Sequence, residues 1–99
     1  MDRTLLTAAE LEAGLAGLDP AWVAGTEELT RSVEFGSFLT AVRFIDELAP
    51  VAEELDHHPD LRLSWRTVHL TLSTHSAGGV TAYDLELARR LDPIIDRLR

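Results

Sequence analysis

Residues 61–72 read LRLSWRTVHLTL, and this stretch decides the fold. It contains two sets of alternating apolar side chains, namely Leu61, Leu63 and Trp65, then Val68, Leu70 and Leu72. Alternation with a period of two is typical of a strand that buries one face. The pattern changes phase near Arg66 and Thr67, which predicts a turn between two antiparallel strands and therefore a β-hairpin.

An earlier hairpin is predicted from the residues that precede the middle of the chain. Glu28–Phe35 alternates in the same way except at Arg31, which stands on the apolar side and predicts a strand near the edge of the sheet. Ala21–Ala24 is expected to form a shorter strand, and Gly25 lies between the two. The four strands therefore form two hairpins.

Helices are predicted before, between and after these hairpins. Thr7 and Glu10 have the spacing of a capping box, and the helix that they begin is expected to run as far as Asp19-Pro20. Thr81 is expected to cap the last helix, which Pro93 bends or restarts with Asp92 as a second cap.

The middle helix is predicted to begin after Ser37 and to run to about Leu55 as one helix that is kinked at Pro50. Its expected apolar stripe consists of Phe38, Val42, Ile45, Ala49 and Ala52, widened by Ala41, Leu48 and Leu55. The element order is then α-β-β-α-β-β-α. This order predicts one α+β domain over residues 1–99, with a four-stranded antiparallel sheet and helices packed on one face.

The composition excludes several classes of function. The chain has 9 basic and 17 acidic residues and a net charge of −8, which disfavours binding to nucleic acid or to an anionic membrane. It has no cysteine, so disulfides and thiolate chemistry are absent, as suits a reducing cytoplasm. No apolar run is long enough to span a bilayer and no export signal is apparent, so we expect a cytoplasmic protein.

Three histidines are expected at the ends of structural elements, where functional sites are usually built. His57 follows the middle helix, whose negative end favours a protonated ring. Pro59 disfavours helical backbone at His58, so the two adjacent rings point in different directions. His75 follows the last strand. Such a cluster can supply both an acid and a base near neutral pH, whereas His69 is expected to be an ordinary strand residue.

The spacing around these histidines resembles that of the pterin-4a-carbinolamine dehydratases, also called 4a-hydroxytetrahydrobiopterin dehydratases. The family pattern is a charged residue, three spacers, His-His-Pro, an aromatic residue, a later His and an Asp. Its positions are occupied here by Glu53, His57, His58, Pro59, Trp65, His75 and Asp84. The stretch THSAGGVTAYD at residues 74–84 adds to the resemblance.

The resemblance implies a hydro-lyase that removes water from a 4a-hydroxytetrahydropterin without a metal or a cofactor. His57 and His75 are the expected acid–base pair, and His58 assists. Asp84 either orients His75 or caps the last helix, and both roles can hold together. Glu53 is expected either at the site wall or on a solvated helix face. Trp65 is expected either beside the pterin or in the core.

The resemblance also implies a homodimer or homotetramer, and an aromatic amino acid hydroxylase in the same pathway. Two other functions stay open at this stage. The fold can serve as a dimerisation or assembly cofactor for another protein. The histidines can also bind a metal together with Glu53, Asp56 or Asp60.

Overall fold

A computed structural model describes all 99 residues and has the predicted order of elements. The helices are α1 (Ala8–Leu15), α2 (Phe38–Leu55) and α3 (Ala82–Leu98), and the strands are β1 (Val23–Ala24), β2 (Leu29–Glu34), β3 (Asp60–Ser64) and β4 (Thr67–Leu72). Every strand pair is antiparallel, and the sheet order is β1-β2-β4-β3. The α+β prediction is confirmed. No helix combines the length and the apolar character that crossing a membrane requires.

The two faces of the sheet differ in chemistry. Directly opposed residues share a face, and the buried face is formed by Leu29, Arg31 and Val33 with Leu72, Leu70 and Val68. The opposite face is polar, since Ser32 of β2 and Arg62 of β3 both stand opposite His69 of β4. The apolar face packs beneath the helices, which leaves the polar face open to solvent.

The buried stripe of α2 differs from the predicted one. The buried residues are Ala41, Phe44, Leu48 and Ala52. Phe38 was expected to point inward but is 58% exposed, and Ala49 is exposed as well. Phe38 lies in the first helical turn, and the helix face that meets the sheet and α3 is centred on Phe44, which packs against Phe35. The predicted stripe was therefore right for Ala41, Leu48 and Ala52 and wrong for Phe38 and Ala49, and it omitted Phe44.

Both internal prolines lie within continuous helices. Pro50 lies inside α2, which runs unbroken as predicted, and Pro93 lies inside α3. The expectation that Asp92 restarts the last helix as a cap is wrong. Its carboxylate instead accepts hydrogen bonds from the Trp22 indole, the Arg31 guanidinium and the Asp19 amide. Arg31 is thereby buried on the apolar side of β2.

The N-terminal third has shorter elements than predicted. α1 begins with the expected capping box at Thr7 but ends at Leu15, well before Pro20, since Gly14 and Gly17 are poor helix formers. β1 contains only Val23 and Ala24 of the four predicted residues. It therefore covers only the beginning of β2, which leaves Arg31 and the residues after it without a neighbour on that side.

Candidate active site

The three predicted histidines meet in one cleft, where α2 ends, β3 begins and β4 ends. The cleft has a volume of about 240 Å³. Its lining consists of Arg3, Asp56, His57, His58, Ser73, Thr74, His75 and Ser76, and no lining residue is hydrophobic. A site with this composition suits a polar ligand and proton transfer.

The end of α2 turns His57 inward. Asp56 adopts left-handed backbone with φ 49° and ends the helix, and the His57 amide donates to the Ala52 carbonyl at 3.0 Å. The His57 side chain is consequently buried, whereas the next residue, His58, is exposed. Pro59 then leads directly into β3. The adjacent rings therefore have different surroundings, as the sequence predicted.

A buried carboxylate holds the ring of His57. His57 Nε2 lies 2.5 Å from Asp84 Oδ1, and the Asp84 side chain is completely buried. Asp84 Oδ2 accepts from the Thr74 hydroxyl at 2.8 Å and from the Thr81 amide at 2.9 Å. A carboxylate that already accepts two hydrogen bonds is also the acceptor toward the ring. His57 Nε2 is therefore the protonated nitrogen, which leaves Nδ1 unengaged by Asp84.

Two threonine hydroxyls continue the hydrogen-bond network from Asp84. Thr74 Oγ1 and Thr81 Oγ1 are 2.7 Å apart, and the single Thr74 hydroxyl proton goes to Asp84. The Thr81 hydroxyl therefore donates to Thr74. All three side chains are buried, so each of these groups has a partner where water is excluded. This network fixes the orientation of the carboxylate, and through it that of the His57 ring.

The predicted partner of Asp84 needs a correction. Asp84 was expected to orient His75, but it contacts His57 instead. The burial of Asp84 beneath the end of α2 places it against the first histidine of the motif. The second expected role is confirmed, because Thr81 and Asp84 form the capping box of α3. The same carboxylate both starts this helix and holds the ring.

The other two histidines have exposed carboxylate partners. His58 Nε2 lies 3.2 Å from Glu53 Oε2, and His75 Nε2 lies 3.4 Å from Asp60 Oδ2. These four side chains are between 58% and 77% exposed. Solvent screens such pairs strongly, so both rings are held loosely compared with His57.

Trp65 lies apart from the cleft in the single chain. It occupies the turn of the β3–β4 hairpin with φ 58°, a left-handed backbone that is rare for a bulky residue. Its side chain is 81% exposed, so the expectation that it belongs to the core is wrong. Asp60, which contacts His75, stands at the opposite end of β3.

Arg3 and Tyr83 adjoin the site although sequence reasoning gave them no role. Arg3 donates to the Asp56 carbonyl at 2.6 Å, and its guanidinium stacks 4.1 Å above the centre of the Tyr83 ring. The Tyr83 ring in turn lies 5.6 Å from that of His57. Arg3 does not belong to any local sequence motif. The N-terminal segment is held beside the site by a hydrogen bond from the Leu6 amide to the Val80 carbonyl.

The side chains around the histidines do not form a set of metal ligands. No three side chains among the His, Asp and Glu residues converge as metal ligands. Each of the three imidazoles in the cleft lies against a carboxylate of its own, and one of these rings is buried while the other two are exposed. This arrangement is suited to receiving a proton at one atom of a bound molecule and delivering one at another.

Comparisons with known proteins agree with one another. Residues 4–94 match the family model described as "Pterin 4 alpha carbinolamine dehydratase". Proteins named "Putative pterin-4-alpha-carbinolamine dehydratase" are similar over nearly the whole chain. The one from Nocardia farcinica is 43% identical over 95% of this chain and 98% of its own, and the one from Mycobacteroides abscessus is 46% identical over 94% and 98%.

A solved structure is similar as well. It is the crystal structure of a protein from Brucella melitensis described as "transcriptional coactivator/pterin dehydratase". The two chains superpose with a TM-score of 0.85 and 40% identity, over 91% of this chain and 97% of the other. The likeness therefore extends to the fold.

Proposed function

Since the chain belongs to the pterin 4 alpha carbinolamine dehydratase family, we propose that it dehydrates a 4a-hydroxytetrahydropterin to the quinonoid dihydropterin. The observation that carries this proposal is the buried His57–Asp84 pair in a cleft that His58 and His75 also line. An imidazole held by a buried carboxylate is a positioned proton acceptor.

The reaction requires two proton transfers and no change of oxidation state. The proton on N5 leaves, and the electrons of the N5–H bond become a lone pair that forms the C4a=N5 double bond. The C4a–O bond breaks, and the hydroxyl group leaves as water after receiving a proton. One proton is removed and one is delivered, so the substrate loses one water molecule overall.

We assign the base to His57. Its Nε2–H group donates to Asp84, so the lone pair on Nδ1 is the one that can accept the proton from N5. The ring becomes an imidazolium, which the adjacent carboxylate stabilises. A positioned base of this kind contributes about 10²–10⁴ in rate.

We assign the acid to His75, and substrate binding to His58. The exposed His75 ring lies 3.4 Å from the Asp60 carboxylate, and it can exchange protons with solvent between turnovers. An aromatic amino acid hydroxylase in the same cell would supply the carbinolamine, and a reductase would consume the product.

A dehydration assay tests this function. The carbinolamine is generated in solution, and its conversion is followed by ultraviolet absorbance with and without the protein. The proposed function predicts a rate above the uncatalysed one, with losses in H57A and H75A. No acceleration by the wild type would refute the function, while wild-type rates in both variants would refute the mechanism alone.

Binding to another protein is the second candidate function. It is favoured by the similarity to the Brucella melitensis protein, whose description names a coactivator as well as a dehydratase. A pull-down from native lysate that returns a stoichiometric partner would support this function. The dehydration assay measures the enzymatic one independently.

We also propose that the chain forms homo-oligomers. β3 is an edge strand with unpaired backbone groups on one side. Leu61 of this strand is 37% exposed, and Trp65 in the turn that follows it is 81% exposed. Light scattering coupled to size-exclusion chromatography should therefore give a mass above the 11.0 kDa of one chain, and a purely monomeric mass would contradict the proposal.

A further inference from the structure

A second polar depression adjoins the histidine cleft on the solvent-facing side of the sheet. It has a volume of about 340 Å³ and is lined by Asp60, Leu61, Arg62, His69 and Thr71. Asp60 Oδ2 lies 3.4 Å from His75 Nε2, so the cleft and the depression meet at this pair. A molecule bound against the histidines can therefore extend over β3 and β4.

Arg62 and His69 face this depression from neighbouring strands. Arg62 of β3 stands directly opposite His69 of β4, so both side chains project from the same face. His69 Nδ1 lies 2.7 Å from the Ser32 hydroxyl. When that hydroxyl donates to Nδ1, the proton of the ring is on Nε2, where it can be donated to a ligand.

Arg62 is one of three arginines, with Arg43 and Arg99, that form no ion pair within the chain. Arg3, Arg31, Arg66, Arg89, Arg90 and Arg97 all form ion pairs. Arg62 forms none, although the chain carries a net charge of −8. Of the acidic groups on this face, Asp60 is paired with His75, and Glu34 is paired with Arg66. The Arg62 guanidinium is therefore an unpaired cation beside the His69 imidazole, whose Nε2 makes no hydrogen bond within the chain.

We propose that Arg62 and His69 form a subsite for an anionic group on the side chain of the pterin. This inference rests on the proposed function and adds the class of substrate. Arg62 lies two residues along β3 from Asp60, a separation of about 7 Å. A group that reaches from the His75–Asp60 pair to Arg62 spans about this distance, which a phosphate at the end of a three-carbon side chain can do.

Equilibrium binding of two stable fluorescent pterins tests the subsite. The probes are 6-(trihydroxypropyl)pterin and its 3′-phosphate, which differ only in the phosphate, and each is titrated into wild type, R62Q and R43Q. Arg43 of α2 also forms no ion pair and serves as the matched charge control. The subsite predicts that wild type and R43Q bind the phosphate ester about five- to tenfold more tightly, as a charge-assisted hydrogen bond allows.

R62Q should lose this preference, and high salt should weaken it in the wild type. Without a subsite, the net negative charge predicts the opposite sign, with weaker binding of the phosphate ester. Equal or weaker binding of the ester by the wild type would overturn the subsite, as would an equal loss in R62Q and R43Q. Failure to bind either probe would overturn it too. The dehydration assay on the same preparation reports separately on the proposed function.

Discussion

Helix α3 carries two carboxylate networks that invite comparison, one around the buried Asp84 and one around the partly buried Asp92. Asp84 and Asp92 are eight residues apart, about 12 Å along the helix axis. Each accepts three hydrogen bonds and ties a distant part of the chain to the helix. Asp84 holds His57, and Asp92 holds Arg31. A carboxylate that anchors a distant side chain therefore occurs twice on α3.

The partners of the two carboxylates differ in what they can do. The guanidinium of Arg31 is permanently charged, and neither Arg31 nor Asp92 lines a surface depression. The imidazole of His57 can gain or lose a proton, and it lines the cleft. The Asp92 carboxylate thus stabilises the fold, whereas the Asp84 carboxylate orients a group that can react with a ligand.

The largest expected effect is on catalysis by His57 and Asp84 together. H57A and D84N should each lower kcat for dehydration, the first by about 10²–10⁴. Since the two residues act as one unit, the double variant should be no slower than H57A. The values of kcat for the wild type, the two single variants and the double variant, measured at one pH, give the coupling between the two residues. If the loss in the double variant equals the product of the two single losses, Asp84 acts independently of the His57 ring.

The next effect is on stability at Asp92. D92N leaves the buried Arg31 without its closest carboxylate and should lower the free energy of unfolding by about 3 kcal/mol. Urea denaturation measures this change, and R31M is the companion variant. A decrease in D92N of less than about 1 kcal/mol would mean that this network contributes little to the fold.

Substitution of Thr74 should have a smaller effect on both kcat and the free energy of unfolding. T74V removes the hydroxyl that donates to Asp84 and leaves the Thr81 hydroxyl without its acceptor. Stability should fall by about 1–3 kcal/mol, and kcat should fall by about tenfold as the carboxylate loses one of its three donors. T74S keeps the hydroxyl and is the control. If T74V and T74S have the same kcat, Thr74 does not position the pair.

Glu53 should matter less, because its pair with His58 is exposed. E53Q keeps the shape of the side chain and removes the charge that faces the ring. Exposed ion pairs are worth about 0–1 kcal/mol, so kcat/KM should change by less than about fivefold. Steady-state kinetics check this expectation. A loss as large as that in D84N would remove the distinction between buried and exposed pairs.

The smallest effect concerns Glu86, which follows the capping box of α3. The Arg89 guanidinium lowers the pKa of Glu86 below its usual value of 4.5. A carboxyl with a depressed folded-state pKa stabilises the fold above the unfolded pKa, and this stabilisation disappears as pH falls through the folded one. E86Q should therefore melt slightly below the wild type at pH 7 and with it at about pH 3, as differential scanning calorimetry would record. A difference that persists at low pH would assign the effect to another cause.

Local features of the fold were predictable from sequence. Thr7, Ser37 and Thr81 cap the three helices as expected, because a cap depends on residues within about four positions. The alternation in β2 and β4 likewise gave the buried face of the sheet correctly. Trp65 followed the same alternation but lies in a turn, where the pattern no longer determines which side is buried.

Contacts between distant residues were not predictable in this way. The three histidines were found from their motif, but the partner of Asp84 was wrong, since nine residues separate it from His75 and 27 from His57. Spacing cannot decide which ring a buried carboxylate meets. The burial of Arg31 against Asp92, which is 61 residues away, depends equally on how α3 packs over the sheet.

The most direct test of the central claim is kcat for carbinolamine dehydration in wild type, D84N and D92N, measured side by side. The two substitutions make the same chemical change in carboxylates on one helix. If Asp84 holds the His57 ring, kcat should fall by about a hundredfold or more in D84N and stay at the wild-type value in folded D92N. Equal kcat values in the two variants would contradict it.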